Sequence, residues 1–100
     1  MGGGVYRPGG GASAPTVLSE VKPRYTPEAM RAHIQGSVFL EAIVQRDGTL
    51  RDIRIVRSLD PGGLDQQAIL AAEQWRFNPG RRDGAAVDVL VTIVLDFRLQ

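Results

Sequence analysis

The sequence has no cysteine, one histidine and one tryptophan in 100 residues. Without thiols there is no disulfide and no thiolate zinc site, and the redox compartment stays open, because cysteine-free chains occur everywhere. His33 is the only imidazole, and Ser13, Ser19, Ser37 and Ser58 have no base and orienting acid in view, so no nucleophilic triad can be assembled. Of the carboxylates that could form a catalytic pair, Asp47 and Asp60 fall in turn signals and Asp65 in the first turn of a helical pattern, leaving Asp52 and Glu73. No metal-ligand spacing is present. The residues therefore argue against an enzyme, and no cofactor is expected.

Excess charge is also missing. Twelve cations face eleven anions, for a net charge of +1, and a protein built to coat nucleic acid needs clustered positive charge. Eleven of the twelve cations are arginine, Lys22 being the exception, and they are interspersed with acids as on a solvated surface. No apolar run approaches the ~20 residues that cross a bilayer as a helix, and no basic start leads into a hydrophobic region.

What is present divides into two parts. Residues 1–15 carry six glycines and two prolines with little to pack, and are expected to be a flexible tether or an appended remnant. Residues 16–100 are apolar enough to form one small domain.

Thr26-Pro27-Glu28 predicts a helix start: a hydroxyl cap, proline where no amide is needed, and an acid at the positive end of the dipole. Met30 and Ile34 share a face one turn apart, and Gly36 can take the left-handed stop. From Ser37 to Arg46 the pattern alternates, with Val38, Leu40, Ala42 and Val44 on one side. Asp47-Gly48 then signals a two-residue hairpin into a strand over about Thr49 to Ser58. That loop sets Ala42 opposite Ile53, Leu40 opposite Ile55, Glu41 opposite Arg54 and Phe39 opposite Val56.

After the break at Asp60-Pro61-Gly62-Gly63, a helical stripe of Leu64, Ala68, Ala71 and Trp75 ends at Asn78-Pro79-Gly80. Arg81 to Gly84 reads as a polar loop. In the last strand, Val87 to Leu99, every odd position is apolar, so one face must be buried.

The order helix, strand, strand, helix, strand predicts an α+β fold: a three-stranded antiparallel sheet ordered 2-1-3, with both helices on one face. The last strand is then an edge, able to pair with another chain. It can equally be solvated, or covered by Val17 to Val21. A second candidate surface is the helix-free face with Phe39, Ile43, Val56, Leu90 and Val94, open to a partner or capped by Val17, Leu18 and Val21. Trp75, Phe77 and Tyr25 read as core anchors, and Arg76, Arg81 and Arg82 either as a solvated loop or as a lure for acidic peptides.

Pro23, Tyr25, Pro27, Gln35-Gly36, Asp47-Gly48, Ser58, Leu64-Asp65, Ala68, Trp75-Arg76-Phe77-Asn78-Pro79-Gly80, Asp83-Gly84 and the closing strand occur in an order and spacing that resembles the C-terminal domain of TonB-family energy transducers, over about Val21 to Leu99. Thr26 separates Tyr25 from Pro27, where familiar members have Tyr directly before Pro. Lys22 stands where well-known members often have a Gln implicated in contact with the barrel.

The resemblance implies a periplasmic domain of an inner-membrane-anchored protein. It implies that the domain grips the TonB box of an outer-membrane transporter by strand addition and relays force from an inner-membrane proton-driven complex. A homodimer is a further option, and nucleic acid is not a partner. The partner-binding residues so implied are Val89, Leu90, Val91, Thr92, Ile93, Val94, Leu95, Asp96 and Phe97, with Lys22 and Arg24 beside them. The alternative is a TonB-like periplasmic domain of a membrane sensor, or a TolA-like module for envelope-complex interaction or dimerisation. The membrane helix and proline-rich spacer of the family are not in this sequence, so the chain is expected to be an excised domain.

Overall fold

A computed structural model describes residues 4–99; residues 1–3 of the expected tether and Gln100, the end of the expected domain, lie outside them. The elements are β1 (Val5–Tyr6), β2 (Thr16–Ser19), α1 (Pro27–Arg31), β3 (Gly36–Val44), β4 (Leu50–Arg57), α2 (Leu64–Ala72), β5 (Arg76–Asn78), β6 (Gly80–Arg82) and β7 (Ala85–Phe97). The fold is α+β. Its sheet is larger than the three antiparallel strands expected: the order is β1-β7-β3-β4, with β6 also on β7, and β2 and β5 form a separate two-stranded ribbon. β1 joins β7 in parallel, so the sheet is mixed.

Alternation places Val38, Leu40 and Val44 of β3 on the same side as Val89, Ile93 and Leu95 of β7, and the register pairs them as Val38 with Leu95, Leu40 with Ile93 and Val44 with Val89. All six are buried. Leu64, Ala68 and Ala72 of α2 and Ala29 of α1 close the same core. Full burial of a Val, Leu or Phe side chain contributes about 1.5–3 kcal/mol, so each large side chain of this layer stabilises the fold by an amount of that order.

Two helix expectations shift. Thr26 caps α1, its Oγ1 accepting from the Ala29 amide at 3.1 Å, but Ala29 is the inward residue and Met30 is exposed. The left-handed stop falls on His33 (φ 55°), three residues before Gly36, because the Ile34 amide already returns to the Ala29 carbonyl at 3.0 Å.

The β3–β4 turn also departs from a two-residue loop. Gln45 and Thr49 close it, with the Gly48 amide donating to the Gln45 carbonyl at 2.9 Å, so three residues span the reversal. The register is therefore offset by one at Ile43 and Arg51 and returns to Leu40 with Ile55 and Glu41 with Arg54. Asp52, at φ 53°, lies within this irregular stretch. Ala42 has no direct partner on β4, and Phe39 meets Arg57 there rather than Val56, with the guanidinium 5.6 Å from the ring centre. A two-residue hairpin does occur, at Asp83-Gly84, where both φ values are positive and Arg82 pairs with Ala85. The last strand consequently starts two residues early, at Ala85, and ends at Phe97.

Gly48 is where this turn meets the rest of the fold. Its carbonyl accepts the Phe77 amide at 2.9 Å, and a Cβ there would lie 2.2 Å from the Phe77 carbonyl oxygen. Asp65 is the one buried charged residue among those described. Its carboxylate accepts from Ser58 Oγ at 2.5 Å and from the amides of Leu59 (3.0 Å) and Asp60 (2.9 Å), which fastens the end of β4 to the start of α2. Burial alone would raise its pKa, but the Ser58 hydroxyl and the two amides outweigh burial and hold it below 3.8.

Candidate functional site

The feature of interest is the side of β7 that faces away from β3. β3 takes the other side through nine consecutive pairs from Val89 to Phe97. On the outer side, among the described residues, β1 pairs only with Asp88 and Val89. From Leu90 to Phe97 that edge has no strand partner among the described residues. At about 3.4 Å per residue the open stretch is roughly 24 Å long, enough for six to eight residues of extended peptide.

The edge is recessed. Two adjoining hollows of about 540 and 440 Å³ run beside it and share Trp75 and Val94 as a common wall, so they read as one trough. The opposite bank is residues 14–25: Ala14, Pro15 and Val17 along the first part, Glu20, Lys22 and Pro23 along the second. β2 is tied to β5 through Val17 with Phe77 and Thr16 with Asn78, which keeps this bank off β7. Trp75 joins the two sides, its Nε1 donating to the Val21 carbonyl at 3.0 Å. Tyr25 secures the far end, its hydroxyl donating to the Ile34 carbonyl at 2.9 Å and its ring edge-on to Phe97 with centres 5.5 Å apart.

At the other end, Asp88 is held by Arg51 at 3.3 Å and accepts the Arg46 amide at 3.2 Å. Arg51 lies between Asp88 and Asp52; the bond it donates to Asp88 is the largest of the effects that raise its pKa. Thr92, Val94 and Asp96 point to the solvated face, whereas Val89, Ile93, Leu95 and Phe97 are buried. The trough thus offers a guest backbone groups first, with a mixed-charge mouth of Glu20, Lys22, Asp96 and Arg98.

The residues singled out from sequence distribute unevenly. Leu90, Val91, Thr92, Ile93, Val94, Leu95, Asp96 and Phe97 lie along the open edge and Lys22 on the bank facing it. Val89 is different, because Tyr6 already occupies its outer side. Arg24 lines a separate hollow of about 420 Å³ against α2, with Gln67, Leu70 and Gln74, and does not line the trough. Val17 to Val21 do not zip onto β7, and Val17 and Leu18 stay largely exposed rather than capping the helix-free face. Arg7 and Pro8, from the stretch read as a tether, line the first hollow, which no local pattern in that glycine-rich sequence signals. Trp75 is a core residue and also a wall of the trough; a buried indole N–H in need of an acceptor is the clue to its second contact.

Among the described residues no cluster of His, Asp and Glu could hold a metal ion. Residues 21–99 match the family model described as Gram-negative bacterial TonB protein C-terminal. The chain is 35% identical over 82 residues to Protein tonB2 of Pseudomonas aeruginosa, covering 82% of this chain and 30% of that protein. It is 32% identical over 84 residues to Protein TonB of Vibrio cholerae, covering 84% of this chain and 34% of that one. The chain thus spans about a third of the length of the curated relatives it matches. The solution NMR structure of the Pseudomonas aeruginosa TonB CTD superposes with a TM-score of 0.70 at 26% identity, over 86% of this chain and 87% of that one. This is a non-enzymatic domain, and by the match over four-fifths of its length the chain belongs to the TonB C-terminal family.

Proposed function

We propose that this domain captures an extended peptide, the TonB box of an outer-membrane transporter, as an added strand on the outer edge of β7 over Leu90 to Phe97. The observation that carries the reading is the unpartnered edge lying inside a trough of matching length. Alternate amides and carbonyls of β7 supply the hydrogen bonds, and the side chains of the opposite bank select the sequence. Each hydrogen bond nets only about 0.5–1.5 kcal/mol after exchange with water, so a short peptide binds weakly and releases readily. That suits a linkage made and broken during transport.

In the full-length protein the domain is periplasmic and the protein is anchored in the inner membrane, where a proton-driven complex supplies the force that the captured strand transmits. Titrating the labelled domain with a synthetic TonB-box peptide from the same organism should move the amide signals of Leu90 to Phe97. No movement there at about millimolar peptide, the weak limit of specific binding, rejects strand addition at this edge.

A further inference from the structure

The short β1 strand occupies the same edge that the proposed guest would use. β7 lies between β1 and β3, so Val5 opposite Asp88 and Tyr6 opposite Val89 are on the outer side, immediately before the open stretch. We infer that Val5–Tyr6 is a resident strand that blocks one end of the site and competes with an incoming peptide for it. The inference rests on the strand-addition reading above.

Three observations carry it. The pairing is only two residues long and Val5 is 43% exposed, so the strand is cheap to displace. Its base, by contrast, is fixed: the Ser13 amide donates to the Arg81 carbonyl at 2.9 Å, Ser13 Oγ accepts the Arg81 amide at 2.9 Å, and Ala12 is buried. A displaced strand therefore stays close to its seat at high effective concentration. Between base and strand lie Gly9 (φ 84°) and Gly11 (φ 93°), which reverse the chain and let Tyr6 rest 5.2 Å from the Arg82 guanidinium.

The strand also sets where a guest must stop. Arg7 and Pro8 line the first hollow near Leu90 and Val91, so a peptide extending toward Asp88 meets them. With the strand seated, a guest is confined to Leu90 and beyond; with it displaced, the rungs at Asp88 and Val89 become available.

The experiment compares the full chain with its V5P/Y6P variant, in which neither residue can donate an amide to β7. Both are titrated with the same TonB-box peptide and followed by amide shifts. With Asp88 and Val89 open to the guest, the variant binds about threefold to tenfold more tightly, the worth of roughly one added backbone hydrogen bond. Its shift footprint also gains Asp88 and Val89. Arg82→Ala, which removes the contact with Tyr6, should shift affinity in the same direction by less. Equal affinity and an identical footprint in the full chain and the double variant would overturn competition while leaving strand addition intact. Absence of binding to both overturns strand addition, and this inference with it.

Discussion

The indole N–H of Trp75 donates to the carbonyl of Val21, 3.0 Å away, and joins the α2 side of the domain to the bank that faces β7. A residue with 8% exposure therefore governs an exposed site. Trp75→Phe keeps an aromatic ring but removes the donor. It should lower stability by about 1–3 kcal/mol, part packing and part hydrogen bond, read as a lower urea midpoint with unchanged slope. The signals of Val21 and Lys22 should sharpen toward those of a free chain.

Gly48 offers a test of the turn. At φ 86° and with a Cβ position 2.2 Å from the Phe77 carbonyl oxygen, Gly48→Ala must strain the backbone and push β5 away. A loss of about 2 kcal/mol or more is expected in chemical unfolding. Gly84, which also has a positive φ but open space around it, should tolerate alanine at roughly half that cost or less.

Asp65 fixes a pH dependence. Its pKa is lowered in the folded state, so the unfolded chain binds the proton more readily, and stability rises with pH across that window. The contribution is fully present above the ordinary carboxylate value and is lost as pH falls through the folded value. Asp65→Asn should cost about 1–3 kcal/mol at neutral pH, and the gap to the unmodified domain should narrow as pH drops below about 4. Ser58→Ala should show a smaller version of the same profile, measured by denaturation at a series of pH values.

Along β7 the two faces should respond differently. Ile93→Ala empties a position paired with Leu40 in the core and should destabilise by about 2–4 kcal/mol, whereas Thr92→Ala, on an exposed position, should stay within about 0.5 kcal/mol. Proline at a residue of Leu90 to Phe97 whose amide faces away from β3 leaves the β3 ladder intact. It should remove peptide binding while the domain still unfolds cooperatively. Retained affinity in such a variant would place the contact surface elsewhere.

The legible parts of the fold were the long periodic ones. The alternation of β3 and β7 identified the core face, and the rungs of Leu40 with Ile55 and Glu41 with Arg54 hold because the irregularity between Glu41 and Ile43 cancels the extra residue of the turn. The turn itself was misread because both Asp-Gly steps look alike locally. Asp83-Gly84 makes the two-residue loop, while Asp47-Gly48 belongs to a longer one whose glycine is pressed against Phe77, a contact 29 residues away in sequence. β1, β2, β5 and β6 have two to four residues each, too few to show a period, and the partners of β1, β2 and β5 are distant in sequence. The open edge was therefore inferable, whereas its recession into a trough and the resident strand at its end were not.

The uninterrupted nine-rung seam between β3 and β7 has a mechanical consequence. A tug delivered along the axis of β7 strains those rungs together, in shear, and cannot peel them one after another. Traction entering through that strand would spread into the body of the sheet before any single bond carried the whole of it.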